Sequence, residues 1–279
     1  MWHCNVIQRF LRGLATMNLT LFVTATASYA EAPTVLENRA LRVSVWADTG
    51  TVEVLDKRSH VTWKQPEPEG RGDRNSYTHV ATARNVMRFR TTAGGAGMDV
   101  TLTLPPQGAD VIVDTMAADP RTHFGGAFSL DSFLPPSSNA SIAVADYCDG
   151  HLYPITLEGL PATWFAGDRL DMPWVGVCEG LTGPGYLIIL DTSDDSCVEL
   201  QPTKVAGTAC RLPRVGWLPS KGTFAYSRRM RLRFVASGGY VALAKAYRSF
   251  AKENGLLVTL REKAARNPNV RRLYGAVDV

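Results

Sequence analysis

The sequence predicts a mainly β protein, a large antiparallel β-sandwich that ends in one or two helices and a final strand. Three observations carry that expectation. Short alternating apolar segments recur from Leu41 onward, bounded by turn residues. No helical period occurs before Ser237. The 24 glycines and 16 prolines favour many turns over long helices. All-β sandwiches of this size commonly form one domain, so one large domain plus an appendage is expected in the 279 residues.

At the N-terminus, Arg9 and Arg12 precede an apolar run from Leu14 to Ala27, and Ser28-Tyr29-Ala30 precedes Glu31-Ala32-Pro33. This three-part form is that of a signal peptide over residues 1–30. Cleavage near Ala30 and export to the periplasm or the exterior are expected. The run is too short and interrupted to cross a bilayer and no later segment reaches that length, so the mature chain should have no membrane span.

The strands follow in order. Leu41, Val43 and Val45, then Val52 and Val54, then Val61 and Trp63 open a β-meander. Pro66 to Asn75 is polar and Gly/Pro-rich, hence a loop. Met98 to Leu104 alternates again, and Val111 and Val113 follow a Pro105-Pro106-Gln107-Gly108 turn. Further strands fit Ala127 to Leu134, Ser141 to Tyr147, Trp174 to Glu179, Tyr186 to Asp191, Cys197 to Gln201 and Phe224 to Val235. Gly185 to Leu190 is apolar throughout, which suits a strand covered on both faces. A two-sheet sandwich over residues 31–236 is therefore favoured over a doubly wound α/β fold.

From Tyr240 the period changes. Tyr240, Leu243, Ala244, Tyr247, Phe250 and Ala251 recur at spacings of three and four, Lys245, Arg248 and Lys252 take the other face, and Gly255 can cap the end. Thr259 with Glu262 is a capping box for a second, shorter helix that stops before Asn267-Pro268-Asn269. Arg271 to Val279 reads as a strand. It ends apolar, without cap or polar tail, so its sheet partners are expected to lie beyond Val279, the alternative being a native C-terminal strand that pairs with the sandwich.

Charge and motifs narrow the chemistry. The net charge of +4 is mild, and Arg228, Arg229, Arg231 and Arg233 fall on a strand where most would alternate onto a solvated face, so no nucleic-acid partner is expected. Export would remove Cys4 and leave Cys148, Cys178, Cys197 and Cys210, which fit either one or two disulfides or four buried thiols. No CxxC or HxxxH spacing occurs and the histidines are scattered, so neither a metal nor a cofactor is expected. Gly94-Gly95-Ala96-Gly97 precedes a strand rather than a helix and reads as a hairpin. Arg71-Gly72-Asp73 is a chance tripeptide in a loop, and Asn139-Ala140-Ser141 is a glycosylation acceptor only in a host with that chemistry. Asp191-Thr192-Ser193-Asp194-Asp195 could hold Ca²⁺ but fits a solvated turn better.

The richest stretch runs from Asp146 to Tyr153 and on through Trp164, Asp168 and Asp171 to Trp174. Carboxylates accept hydrogen bonds from sugar hydroxyls while aromatic faces pack on the apolar side of a pyranose. Asp149, His151, Tyr153, Trp164 and Trp174 are therefore candidate carbohydrate contacts, against the alternative of loops and core aromatics. Glu158 with His151 is the pair nearest to an epimerase's base and acid.

The run Gly238 to Arg248, then Lys252-Glu253-Asn254-Gly255-Leu256, Asn267-Pro268-Asn269-Val270 and Gly275 to Val279, resembles a junction in glycoside hydrolases similar to the family-101 and family-129 α-N-acetylgalactosaminidases. That resemblance implies a galactose-mutarotase-like β-supersandwich, linker helices over residues 237–279 and the first strand of a (β/α)8 barrel. The family's nucleophile and general acid lie on later barrel strands, so it implies no catalytic residue here and a catalytic barrel absent from this chain. Asp278, at the end of that first strand, is the one residue of the junction that could face substrate, the alternative being a structural role. The expected function is the non-catalytic sandwich portion of an exported glycoside hydrolase acting on glycans. The alternatives are a self-standing carbohydrate-binding or mutarotase-like module and an exported structural domain without sugar affinity.

Overall fold

A computed structural model of the chain describes residues 32–66, 77–93, 96–124, 128–146, 149–159, 163–165 and 170–275. The expected signal segment, the Arg71-Gly72-Asp73 loop, Gly94-Gly95, Tyr147, Cys148, Asp168 and Asp278 lie outside those residues.

Antiparallel pairing dominates. Strands β1 (Thr34–Glu37), β2 (Leu41–Trp46), β3 (Thr51–Asp56) and β4 (Val61–Lys64) form the four-stranded meander that the opening alternation predicts. Next come β5 (Thr78–Ala83), β6 (Val86–Ala93), β7 (Ala96–Thr103), β8 (Asp110–Ala117), β9 (Phe128–Asp131), β10 (Ala140–Asp146), β11 (Asp149–Pro154) and β12 (Thr163–Phe165). The strands close with β13 (Leu170–Glu179), β14 (Gly185–Ile189), β15 (Ser196–Val205), β16 (Thr208–Trp217) and β17 (Arg228–Val235). A nine-stranded sheet has the order β11-β10-β13-β14-β17-β8-β7-β6-β5, and a second four-stranded sheet has the order β12-β15-β16-β9. β6 and β7 pair up to Ala93↔Ala96, so the strands flanking Gly94-Gly95 form a hairpin.

Where two sheets were expected there are three. The two small sheets meet at a Lys64↔Leu134 bridge, and Gln65 links them by accepting from Val52 N–H at 3.0 Å and donating to the Asp131 carbonyl at 2.9 Å. Their inward side chains share one core cluster with the nine-stranded sheet. Trp63 of β4 meets Tyr186 of β14 edge to face at 5.1 Å, and the buried Tyr186 hydroxyl donates to the Phe133 carbonyl at 2.9 Å. An aromatic can be buried at that depth because its hydroxyl is satisfied. β7 shows the underlying pattern, with Ala96, Met98, Val100 and Leu102 buried and the residues between them half-buried.

The helical end caps the other face of the large sheet. Helix α1 (Gly239–Glu253) buries Leu243, Tyr247, Phe250 and Ala251, close to the expected face. Tyr240, 43% exposed, and the exposed Ala244 depart from it. β14 is buried along its whole length because the core lies on one side and α1 on the other. At Gly176 of β13 a Cβ would stand 2.7 Å from the Leu243 side chain, so the bare backbone gives the helix its seat. Gly255, at φ +70°, ends α1 as expected. Helix α2 (Leu260–Arg266) starts with both hydrogen bonds of the Thr259–Glu262 capping box.

The end of the chain differs from expectation. Pro268–Leu273 is a 3₁₀ helix in place of the start of a strand, and Ala276 to Val279 lie outside the described residues. Asn267 accepts from Asn269 N–H at 3.1 Å and Pro268 occupies the first helical position, so local bonds satisfy a backbone that has no strand beside it. The arginine expectation is corrected too. Arg228 is fully buried, while Arg231 and Arg233 lie largely covered at the sheet–α1 boundary with only 17% of each side chain exposed. Cys178, Cys197 and Cys210 are buried free thiols, and burial raises all three thiol pKa values.

Candidate functional site

β11 is an edge strand of the nine-stranded sheet, and its register on β10 places Asp149 opposite Asp146, His151 opposite Val144 and Tyr153 opposite Ile142. Directly opposed residues share a face, so Asp149, His151 and Tyr153 point to the core side and Leu152 to the α1 side. Asp149 is exposed at the strand's start, and His151 and Tyr153 are half-buried.

The aromatics form a ladder between two sheets. The His151 and Tyr153 rings stack at 5.3 Å and 6°, and Tyr153 stacks on Trp164 of β12 at 6.4 Å and 22°. Trp164 has no exposed surface and donates its indole N–H to Asp146 Oδ2 at 2.9 Å. Trp174 stands apart from this ladder. It lies on the opposite face, 5% exposed, stacked on Tyr247 of α1 at 5.7 Å. The structure therefore brings Asp149, His151, Tyr153 and Trp164 together and separates Trp174 from them. Only Asp149 and part of His151 and Tyr153 meet solvent. Glu158 lies in the exposed turn beyond β11.

Two charged clusters carry more interactions than the sequence reading gave them. On the α1 side, Arg231 donates to Asp110 at 3.0 Å and Asp191 at 3.3 Å. Arg233 grips Asp110 at 2.7 and 2.8 Å and reaches Glu253 of α1 at 3.4 Å. Burial raises the Asp191 pKa above its usual range, with Arg231 opposing the shift. At the start of β17, Arg228 lies beside Asp195 and Tyr226. The acidic Asp191–Asp195 turn thus holds arginines and a phenol, and no metal-holding cluster occurs among the described residues. Its density of carboxylates was the only signal in the sequence; which of them face arginines depends on pairing across strands far apart in the chain.

A cavity of about 30 Å³ lies between the first sheet and the large one, lined by Val52, Tyr77, Phe89, Leu130 and Leu232 among others. Its lining is mostly apolar, so it offers few partners to the hydroxyls of a sugar.

Among solved structures, the α-N-acetylgalactosaminidase NagBb of Bifidobacterium bifidum in complex with GalNAc superimposes at a TM-score of 0.70 with 18% identity, over 86% of this chain and 42% of the enzyme. The chain shares its fold with part of a glycosidase. The ligand-free form of NagBb matches over the same shares at a TM-score of 0.65 and 19% identity. A putative aldose 1-epimerase from Escherichia coli K12 overlaps more loosely, at a TM-score of 0.41 and 13% identity over 73% of this chain and 99% of that one. The chain spans about two fifths of the length of NagBb. No protein-family model matches it, and no curated protein sequence does.

Proposed function

We propose that this chain is the non-catalytic, galactose-mutarotase-like β-sandwich and linker of an exported glycoside hydrolase acting on glycans, related to the family-101 and family-129 α-N-acetylgalactosaminidases. The observation that carries this reading is the superposition of 86% of the chain on 42% of NagBb. In this reading the sandwich supports a catalytic barrel and supplies no nucleophile or general acid of its own. The geometry is consistent, because Asp146, a carboxylate of the candidate site, is buried and engaged by the Trp164 indole. The exposed Leu256, Leu257, Leu260, Leu273 and Tyr274 would give the linker apolar surface to pack against that barrel. Purified chain incubated with aryl α- and β-glycosides should release no aglycone, and turnover would overturn the reading. Extension of the reading frame past Val279 into βα repeats is its second expected result.

The half-exposed His151–Tyr153 stack beside Asp149 favours a second reading, a carbohydrate-binding module. Glycan-array binding that is lost in His151→Ala, together with a stop codon after Val279, would establish it over the first.

A further inference from the structure

Arg228 poses a physical question. Its side chain is fully buried, and a desolvated guanidinium is costly unless its donors are met. It donates to the carbonyls of Tyr226 at 3.1 Å and Leu218 at 3.3 Å and stands 3.7 Å from Asp195 Oδ2, while its Nε has no partner. Its Cζ lies 4.3 Å from the centre of the Phe224 ring and 4.0 Å from that of Tyr226. An aliphatic side chain would fill this position at lower cost, so packing alone does not account for an arginine here.

What the arginine achieves is to hold Tyr226. One face of that ring rests on the guanidinium, and its hydroxyl donates to Asp195 Oδ2 at 2.5 Å. Burial first, and then the Asp195 carboxylate, push the phenol pKa up to about 12, so the hydroxyl remains a donor throughout the neutral range. Tyr226 is nevertheless 36% exposed, so part of it meets solvent although the guanidinium lies over one face of the ring. The Asp195 side chain is 32% exposed, and its Oδ1 takes no hydrogen bond among the described residues. Asp195 also sits at φ +59°, a conformation that Asp and Asn tolerate better than most residues. A fixed aromatic face therefore adjoins a fixed carboxylate at the loop end of the sandwich, where the β14–β15 and β16–β17 connections meet.

We propose that Tyr226 and Asp195 form a shallow saccharide subsite, in which the ring packs on the C–H face of a pyranose and Asp195 Oδ1 accepts from a sugar hydroxyl, with Arg228 holding both in place. The choice of a sugar rests on the glycan-acting reading above; the platform geometry does not. A ring already pinned on one face and at its hydroxyl loses little freedom on binding, which is what a weak subsite needs.

The test is a titration of the purified chain with galactose and N-acetylgalactosamine, followed by saturation transfer to the sugar and by amide shifts. Wild type should bind with transfer to the sugar C–H protons, and Tyr226→Phe should keep that transfer. Tyr226→Ala and Asp195→Asn should each bind about tenfold more weakly. Asparagine tolerates the left-handed backbone at 195, so the substitution adds no backbone strain there. If Tyr226→Ala does not fold, amide shifts centred on 195 and 226 in wild type support the subsite and shifts centred elsewhere overturn it. Wild type that binds neither sugar, or variants that bind as well as wild type, overturn it as well. Absence of binding without glycoside turnover removes the subsite and leaves the scaffold reading standing, whereas turnover removes the scaffold reading alone.

Discussion

At the scale of single residues, the candidate site was legible as a stretch of sequence but not as a place. Trp164 and Trp174 are ten positions apart, yet one closes a ladder between two sheets and the other seats a helix on the far face, because they lie on strands of different sheets. Arg231 and Arg233 mislead in the same way. Alternation tells which residues share a face, but not that the second face is covered by α1, whose Ala246 carbonyl accepts from Arg233 thirteen residues earlier. The burial of Asp191 has a measurable consequence. Its folded pKa is raised above 3.8, so the native chain retains this proton at pH values where the unfolded chain has released it. The stabilising effect is therefore present below the unfolded pKa and is lost as pH rises through the folded one. Relative to Asp191→Asn, wild type should be progressively less stable from acid to neutral pH in urea melts. A difference moving in favour of wild type over that range would contradict the assignment.

At the scale of elements, those with local signals were readable. The spacing of three and four from Tyr240, the glycine at 255 and the Thr259–Glu262 box give two helices within a residue or two of where they lie. Strands lacking a clean period 2 were not. β16 carries Pro213 and Gly216 inside Thr208–Trp217 and was missed, although it pairs with β15 over ten residues. The start of the expected terminal strand is a 3₁₀ helix instead, because Asn267 and Pro268 offer that helix its own start. The capping box makes α2 open to test. Thr259→Ala should speed amide exchange in Leu260–Arg266 by roughly fivefold, the usual loss for an N-cap. Hydrogen bonds from Thr259 hold the Glu262 pKa below 4.5, so its stabilisation is present above 4.5 and is lost as pH falls through the lowered value. Protection of α2 should fade in that acid window, while β14 remains protected.

At the scale of the whole molecule, cooperative structure is expected to end near Gly255. Up to Ala251 nearly every element contributes to one of two apolar clusters, the main core between the sheets or the smaller one beneath α1. Beyond it, Ala264 is the one buried residue among the described positions, and Leu256, Leu260, Leu273 and Tyr274 are all about half exposed or more. Each such side chain contributes about 1.5 to 3 kcal/mol when fully enclosed, a gain these residues do not realise here. The segment after Gly255 is also basic, with Arg261, Lys263, Arg266, Arg271 and Arg272 against Glu262 and Asp278. α2 and the 3₁₀ helix therefore open at little cost, whereas opening α1 exposes Leu243, Tyr247 and Phe250 and breaks the Arg233–Glu253 pair. Limited trypsin digestion should cut first between Gly255 and Arg272, at Arg261, Lys263 or Arg266, leaving a product that retains the sheets and α1 and melts at nearly the temperature of the intact chain. Amide exchange at Val270 to Tyr274 as slow as in β14 would show instead that the tail is an integral part of the sandwich, and the surface offered there to a further domain would have to be sought elsewhere.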